Sequence, residues 1–343
     1  MASNDFLRLN AFLCSEIDAR AIKSAMELGV IDALSAQAVS FDRLLREYKL
    51  NPVGLQLLLD LLAVNNVIVR KEGAFELTPA FKAVLPYRDL LECRIAFSDL
   101  VWPDIHDLFT PLLNDPRQFM ARSKVFALFR YDRCIDVTAE NLAAVSAWTS
   151  LTTCLTKYEA QAVLEHLDLG SVRSLTDLGG NTGEFALQLC RRNPEIQAVV
   201  VDLPVVCALG RQHIAAAATA AEAARIVFFP TDMRAGPLPP ASDLVSFKSV
   251  LHDWPDADAV GLLDRASHLV RPGGRIAIFE RGPIEVSDKR IPYFMASNLA
   301  FLQFLRPAGL YLGTLEKLGF EAIEHRRIEL EMGFHFITAR RPA

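Results

Sequence analysis

The sequence predicts an α/β protein of two domains, in which a mostly helical N-terminal region precedes a sheet of largely parallel strands. Its 343 residues exceed the length that a single hydrophobic core usually organises. Helical periodicity with one short hairpin extends to about residue 90, whereas apolar strand-like runs alternate with helical stretches after about residue 170. Such alternation is typical of parallel strands joined by crossover helices.

The composition is that of an ordinary globular enzyme, with 51% hydrophobic and 22% charged residues. A net charge of −5 creates no field that would gather nucleic acid or anionic lipid. No apolar run approaches the ~20 residues needed to span a bilayer. Asp5, Arg8 and Glu16 interrupt the apolar core that a signal peptide would need. We therefore expect a cytoplasmic protein that binds neither nucleic acid nor membrane.

The first 90 residues have the spacing of helices followed by a hairpin. Asn51 and Pro52 form an N-cap and first-turn pair ahead of the apolar stretch VGLQLLLDLLAV. The run NVIVRKEGAFELT then contains two short β-like segments around Gly73. This order predicts a winged-helix-like domain over residues 1–90. An earlier helical stripe is formed by Phe6, Leu9, Leu13 and Ile17.

Winged helices often bind DNA, so the charge of the second helix matters. Residues 53–64 contain no Lys or Arg, and a recognition helix without cations would gain little from phosphate contacts. Dimerisation or a lid role is therefore favoured for this domain. Residues 91–168 are expected to be wholly helical, as a linker or pocket lid interrupted by Pro103, Pro111 and Pro116. Within this region, Thr152 is interpreted as a core residue.

The remaining residues, 169–343, are expected to form the main sheet. Strand candidates are SLTDLGG, AVVVDL, ARIVFFPTDM, DLVSFKSVL and GRIAIFER, followed by AIEHRRIELEM and FHFITARR. The last two runs are separated by a tight turn, which predicts an antiparallel final strand. Ligands in such sheets bind outside the carboxyl ends of the strands, and His252 lies at one of these ends.

The loop after the first of these strands, TDLGGNTGEF, indicates which ligand is bound. A dinucleotide fingerprint would require glycine at position 178, which is Leu. Carboxylates at Asp177 and Glu184 disfavour a pyrophosphate at the start of the following helix. They suit a cationic ligand without phosphate, such as S-adenosylmethionine. The glycines that allow close approach of the backbone are Gly179, Gly180 and Gly183.

Two further strand ends carry acids that suit the same ligand. Asp202 can accept hydrogen bonds from both ribose hydroxyls, although a nicotinamide enzyme uses an acid in the same way. Asp232 can accept the adenine amino group while Met233 packs on the ring. A nicotinamide-dependent oxidoreductase remains an alternative at this point. The six cysteines are far apart and never form C-x-x-C, so neither metal nor redox chemistry is indicated.

The motifs together resemble a class I methyltransferase of the plant caffeate/hydroxyindole O-methyltransferase type, which has many bacterial members. ARAIKSAMELGVIDALS and GAFELTPAFKAVL resemble the N-terminal domain of that family, and TDLGGNTGEF, VVVDLPVV and PTDM resemble its cofactor motifs. FKSVLHDWPD resembles the catalytic segment and RPGGRIAIFERGPI the strand after it. The resemblance implies a Rossmann-like domain, a homodimer formed through the N-terminal domain and a small-molecule methyl acceptor. Expected cofactor residues are Asp177, Gly179, Gly180, Gly183, Asp202, Leu203, Asp232, Met233, Lys248 and Trp254.

The resemblance makes His252 the general base, with Asp253 beside it and Glu280 as the residue that orients the imidazole. Aligned from Leu318-Gly319-Phe320, the segment FLRPAG places Leu305 where the family has a second acid. A base with one acidic support could still deprotonate an acidic phenol or enol. Carbon or nitrogen acceptors, and a homologue that binds the cofactor without catalysing transfer, remain alternatives.

The acceptor pocket is expected between the two halves of the chain. The aromatic side chains available there weakly favour a flat, apolar acceptor. Packing in the core is an alternative role for each of them. The candidate lining residues are Phe97, Trp102, His106, Trp148, Asn298, Phe301 and Phe304.

Overall fold

A computed structural model describes residues 4–13, 16–286 and 291–343. The chain divides into two compact units. The smaller comprises the described residues up to Pro103 and those from Val286 to Asn298, and the larger comprises Asp104–Glu285 and Leu299–Ala343. The division falls inside the stretch that the sequence assigns to a helical linker.

The first part of the chain is mainly helical, with a three-stranded sheet of order β1-β3-β2. Gly73, at φ +81°, lies in the turn between β2 and β3, so the predicted hairpin is confirmed. The added strand β1 was not predicted. In chain order the elements are a 3-10 helix Asn4–Phe12, α1 Glu16–Glu27, α2 Val30–Ala36, β1 Val39–Ser40, α3 Phe41–Glu47, α4 Pro52–Val64, β2 Ile68–Lys71, β3 Ala74–Leu77, α5 Pro79–Lys82, a 3-10 helix Leu85–Tyr87 and α6 Arg88–Asn114.

Local signals account for the start of α4 but not for the predicted N-terminal stripe. The side chain of Asn51 accepts hydrogen bonds from the backbone N–H groups of Val53 and Gly54, as an N-cap residue does. The 3-10 helix repeats every three residues, so it buries Phe6, Leu9 and Phe12 on one side. Ile17, expected on the same stripe, is 58% exposed, and the expectation of one continuous stripe is wrong there.

The stretch 91–168 is not wholly helical, contrary to the prediction. Pro111 lies inside α6, whose backbone leaves helical geometry at Leu108, and an interior proline cannot donate the helical hydrogen bond. After α7, Pro116–Arg122, the chain leaves the α-helix until α8, Ala139–Leu164, with a short 3-10 helix at Tyr131–Cys134. The buried carboxylate of Asp104 accepts hydrogen bonds from the N–H groups of Lys124 and Val125, which holds this irregular segment in place.

The larger unit contains a seven-stranded sheet of order β6-β5-β4-β7-β8-β10-β9. The five strands from β4 to β8 pair in parallel, and β10 pairs antiparallel with both β8 and β9, so the predicted antiparallel final strand is confirmed. The strand order reverses beside β4, which is where such sheets bind ligands. The strands are β4 Ser174–Leu178, β5 Gln197–Asp202, β6 Ile226–Pro230, β7 Ser242–Lys248, β8 Val270–Arg281, β9 Glu321–Glu329 and β10 Gly333–Arg340.

Alternate residues of the strands face two separate apolar layers. Val200 belongs to the layer that includes residues of α8 and α9, and its neighbour Val201 belongs to the opposite layer. The remaining elements are α9 Glu184–Arg192, α10 Pro204–Ala217, α11 Ala220–Ala223, a 3-10 helix Leu251–Asp253, α12 Asp256–Ser267, α13 Tyr293–Asn298, a 3-10 helix Leu299–Phe301 and α14 Gly309–Lys317. Within the described ranges, the helices offer no apolar stretch long enough to cross a membrane.

Candidate active site

The glycine loop between β4 and α9 is built for close approach of the backbone. Gly179 has φ +67°, and a Cβ atom there would lie 2.8 Å from the side chain of Val250. A Cβ atom on Gly180 would lie 2.5 Å from Oδ2 of Asp177. Both positions therefore require glycine. Gly183, also at positive φ, directly precedes α9.

Two buried acceptor atoms of this loop have no hydrogen-bond partner among the described residues. They are Oδ2 of Asp177 and Oδ1 of Asn181. Asp177 has no exposed surface, and its other oxygen accepts a 2.6 Å hydrogen bond from the hydroxyl of Ser246. Burial raises the pKa of Asp177 to about 7. Unsatisfied acceptors of this kind fit a positively charged donor, such as the ammonium group of S-adenosylmethionine.

Asp202 links the second strand end to the loop. Its Oδ2 accepts a 2.8 Å hydrogen bond from the N–H of Asn181, and its Oδ1 accepts a 2.7 Å bond from the N–H of Leu203. Burial raises the pKa of Asp202 to about 6, although these two N–H groups oppose the shift. A carboxylate oxygen can accept more than one hydrogen bond, so both oxygens can still receive ribose hydroxyls.

Glu184, at the start of α9, has hydrogen-bond partners on two helices. Its carboxylate accepts a 2.6 Å hydrogen bond from Gln188 and lies 2.7 Å from Nε2 of His213. The charge is therefore engaged by the side chains of α9 and α10. The other acids beside the loop are Asp177 and Asp202.

Arg234 connects the expected adenine residues, and sequence reasoning missed it. Its guanidinium donates to both oxygens of Asp232, at 3.1 Å and 2.9 Å, and lowers the pKa of that carboxyl. The same group lies 4.2 Å from the ring centre of Trp254. Met233 is tied to α12, because its carbonyl accepts a 2.9 Å hydrogen bond from Arg265. Asp232 and Trp254 are thus brought together, although the chain separates them.

A row of threonines on α8 faces these strand ends. Thr152 accepts a 2.5 Å hydrogen bond from the side-chain amide of Asn181, and the hydroxyl groups of Thr153 and Thr182 lie 2.5 Å apart. The sequence assigned Thr152 to the core and singled out no other member of the row. Hydroxyl residues repeated on one helical face in WTSLTTCLTKYE were the available signal.

Lys248 lies in a buried ion cluster behind the loop. Its ammonium pairs with Glu159 and donates a 3.0 Å hydrogen bond to Thr156, both on α8. Arg281 pairs with the same Glu159, so one carboxylate serves two cations. Burial lowers the pKa of Lys248, with Glu159 opposing the shift. A contact between Lys248 and the cofactor stays a prediction.

His252 is held by a buried carboxylate from the adjacent strand. Its Nδ1 lies 2.5 Å from Oε2 of Glu280, while Oε1 of Glu280 accepts 2.8 Å hydrogen bonds from the N–H groups of Val250 and Leu251. Burial opposes protonation of the imidazole, but the charges of Glu280 and Asp253 outweigh it and raise the pKa of His252. With the proton on Nδ1, Nε2 is the basic nitrogen.

Asp253 brings a second carboxylate to the imidazole. Its Oδ1 lies 3.4 Å from Nε2 of His252, and its Oδ2 accepts a 2.9 Å hydrogen bond from the hydroxyl of Tyr131. Sequence reasoning missed Tyr131, which lies in the irregular segment between α7 and α8. Leu305, where the resemblance expects an acid, is 9% exposed and belongs to an apolar cluster.

Aromatic side chains adjoin this segment within the larger unit. The ring of Trp148 lies 5.7 Å from that of Phe129, which lies 5.9 Å from that of Phe301. Phe126 joins the set at 5.4 Å from Phe301 and 5.5 Å from Phe304. Phe126 and Phe129 were not among the predicted lining residues. The structure therefore brings together Trp148, Phe301 and Phe304.

The other predicted lining residues are His106 and three residues of the smaller unit. The side chain of His106 is 85% exposed, with Nδ1 2.8 Å from Asp107. Phe97, Trp102 and Asn298 belong to the smaller unit, where the ring of Trp102 lies 6.0 Å from that of Tyr293. Their role as lining residues stays a prediction.

Comparison with known protein families gives two matches in this chain. An O-methyltransferase domain matches residues 129–294, and an O-methyltransferase dimerisation domain matches residues 11–86. Together the two matches account for more than half of the chain.

Individual relatives agree with these matches. A 3-hydroxy-5-methyl-1-naphthoate 3-O-methyltransferase from Streptomyces sahachiroi is 36% identical over 39% of this chain and 38% of its own length. The acetylserotonin O-methyltransferase of Mus musculus is 29% identical over 79% of this chain and 70% of its own. The alignment thus spans well under half of the first relative.

The fold is shared with solved methyltransferases. The crystal structure of human N-acetylserotonin methyltransferase in complex with SAM superposes with a TM-score of 0.70 at 23% identity, over 95% of this chain and 94% of the other. The sheet order, the glycine loop and the family matches agree with one another. The chain belongs to the S-adenosylmethionine-dependent O-methyltransferases, with the dimerisation domain of that family in residues 11–86.

Proposed function

We propose that this protein transfers a methyl group from S-adenosylmethionine to the hydroxyl of a small aromatic acceptor, with His252 as the general base. The observation that carries the proposal is the imidazole of His252, which Glu280 holds through Nδ1 and which leaves Nε2 as the basic atom. The unsatisfied acceptors on Asp177 and Asn181 support a cationic methyl donor.

Each cofactor group has a matching residue. Asp177 and Asn181 bind the ammonium group, and Asp202 accepts hydrogen bonds from the ribose hydroxyls. Asp232 accepts a hydrogen bond from the adenine amino group, beside Met233 and Trp254. When bound, S-adenosylmethionine supplies an electrophilic methyl group on a positively charged sulfur.

The residues of the chain must then remove a proton from the acceptor. A phenol has a pKa near 10 and an imidazole near 6.5, so complete transfer before methylation would cost about 5 kcal/mol. Glu280 and Asp253 raise the pKa of His252, which reduces this mismatch. Glu280 also keeps the Nδ1 proton in place while Nε2 accepts the proton of the acceptor. Asp253 stabilises the imidazolium that results.

The chemistry of the site and the names of the relatives support an aromatic hydroxyl as the acceptor. The names of both relatives specify O-methylation, in one case of a hydroxynaphthoate. The aromatic side chains around Trp148 and Phe301 suit a flat acceptor of this type.

A homodimer formed through the dimerisation domain completes the proposal. Three apolar side chains along α4, Val53, Leu57 and Val64, are largely exposed, and a second copy would cover them.

The test is turnover of labelled S-adenosylmethionine with a panel of phenols that includes N-acetylserotonin and hydroxynaphthoates. We expect H252A to lose about 10³-fold in kcat, within the range for general bases, while calorimetry shows affinity for S-adenosylhomocysteine within about three-fold of wild type. H268A, which removes an exposed imidazole at the end of α12, is the matched control and should leave both unchanged. Retained turnover in H252A would refute the assigned base, and parallel losses of turnover and affinity would make His252 structural.

A further inference from the structure

We infer that Arg306 is a positioning residue, which holds the far end of the segment His252–Asp256 and thereby places Asp253 beside the imidazole. We call this segment the catalytic turn. The inference rests on the proposed function of His252. The resemblance to the methyltransferase family places a missing acid at position 305, but the contacts with the catalytic turn are made by the next residue, Arg306.

The guanidinium of Arg306 reaches two points of the catalytic turn. One nitrogen donates a hydrogen bond to the backbone carbonyl of Trp254, and another lies 2.9 Å from the carboxylate of Asp256. The side chain of Arg306 is only 14% exposed, whereas that of Asp256 is 75% exposed. The ion pair is therefore screened by solvent, and the shielded bond to the Trp254 carbonyl contributes most to holding the turn.

Arg306 itself is attached to the sheet. Its carbonyl oxygen accepts a 3.2 Å hydrogen bond from Nε2 of His335, a buried residue of β10. Its neighbour Leu305 is packed in the apolar cluster that also contains Phe334 of β10. The guanidinium thus extends from a backbone that the sheet holds on two sides, which makes it a rigid support.

Glu280 holds the other end of the same segment. It accepts hydrogen bonds from the N–H groups of Val250 and Leu251, just before His252. Asp253 lies between the two supports, and its carboxylate must stay near both Tyr131 and Nε2 of His252. Without Arg306, Glu280 would still hold the imidazole, but the backbone on the far side of Asp253 would lose its shielded hydrogen bond. Trp254 would then be held through its ring, which packs against Arg234 and Tyr131. Displacement of a catalytic group by about 1 Å can reduce turnover by about 10²-fold.

The experiment compares R306A, R306K and D256N in the full-length protein. Backbone hydrogen exchange across residues 249–258 is measured with bound S-adenosylhomocysteine, and kcat and KM are measured with the best phenol of the panel. We expect R306A to accelerate exchange and to lower kcat by about 10- to 100-fold. Affinity for S-adenosylhomocysteine should stay within about three-fold, since Asp177, Asn181 and Asp202 are unchanged. R306K retains a donor for the carbonyl and should recover part of kcat. D256N, which removes only the exposed ion pair, should lower kcat by less than R306A does.

Two results would overturn the inference. One is unchanged exchange in R306A; the other is a loss of kcat no larger than that of D256N. If R306A fails to fold, R306Q replaces it, because glutamine can donate to the carbonyl without a charge and should give intermediate exchange. Failure of the proposed function would be seen differently, because H252A would then retain turnover. The hydrogen-exchange measurement needs no methyl acceptor, so it would still decide whether Arg306 holds the catalytic turn.

Discussion

Nδ1 of His252 lies 2.5 Å from Oε2 of Glu280, a carboxylate without exposed surface. The second oxygen of Glu280 accepts two backbone N–H groups from the residues immediately before His252. A single buried side chain therefore fixes the backbone, the tautomer and the charge of the candidate base. Glutamine at position 280 preserves the shape of the side chain, but it removes the charge and replaces one accepting oxygen with an NH2 donor, so it tests the charge and the tautomer together.

We expect E280Q to move the acid limb of the pH dependence of kcat/KM to lower pH. Catalysis needs neutral His252, and Glu280 raises the pKa of that imidazole, so removing the charge lowers the pKa at which activity appears. The maximal rate should fall by about 10- to 100-fold, since the imidazolium loses its buried counter-charge. Rates of labelled methyl transfer between pH 5 and 9 measure both effects. An acid limb that stays in place, or moves upward, would contradict the assigned pairing.

Asp202 is expected to control cofactor affinity. D202A removes the acceptor for the ribose hydroxyls and also frees the N–H groups of Asn181 and Leu203, so binding of S-adenosylhomocysteine should weaken by about 10- to 100-fold. Isothermal calorimetry measures the loss. D202N, which keeps one oxygen acceptor, should lie between D202A and wild type. Unchanged affinity in D202A would refute the ribose assignment.

The ionised carboxylate of Asp177 is expected to destabilise the free protein, although the same charge favours binding of S-adenosylmethionine. Its pKa of about 7 is above the ordinary value of about 3.9, so the stability that its protonated form contributes is present below pH 4 and is lost as the pH rises through 7. D177N removes this loss and should raise the melting temperature of the free protein at pH 8 by about 5 °C, with little change near pH 4.

The same substitution should weaken binding of S-adenosylmethionine by at least about 10-fold at pH 8, because the ammonium group loses a charged partner. Thermal melts at both pH values and calorimetry at pH 8 test the pair of effects. D258N, at an exposed aspartate of α12, is the control and should change neither. A lower melting temperature for D177N than for wild type at pH 8 would show that the buried carboxylate does not destabilise the folded protein.

The parts of the fold that could be predicted from sequence are those that depend on neighbouring residues. Strand periodicity, the Asn51 cap and the Gly73 turn are local signals, and each of these elements is present. The acids at the strand ends could be located for the same reason, since Asp202 directly follows the apolar run AVVV and Asp177 lies in the strand candidate SLTDLGG. Because parallel strands align their carboxyl ends, the proximity of His252 to the end of β8 was also predictable.

The remaining parts depend on contacts between distant residues. Tyr131 reaches Asp253 across 122 positions of the chain, and Arg306 reaches Trp254 across 52, without any repeat or motif that marks them. Glu184 is a further case, since its position in the sequence indicates a negative charge at the start of α9 but not that Gln188 and His213 engage that charge. The irregular segment after α7 was missed because the single carboxylate of Asp104 replaces helical hydrogen bonds there.

Leu305 allows a test of whether a second acid could be restored. Leu305 is almost fully buried in an apolar cluster with Met332 and Phe334, so a carboxylate at this position would lie among apolar groups. We expect L305E to lower the melting temperature by about 10 °C, as unpaired buried charges do, and to leave the acid limb of the pH profile unchanged. L305M, which preserves volume and polarity, is the control and should differ little from wild type. The contrary outcome is a higher turnover in L305E, with the acid limb displaced to higher pH. It would show that an acid at position 305 can support the imidazole of His252, and that Glu280 and Asp253 support it incompletely.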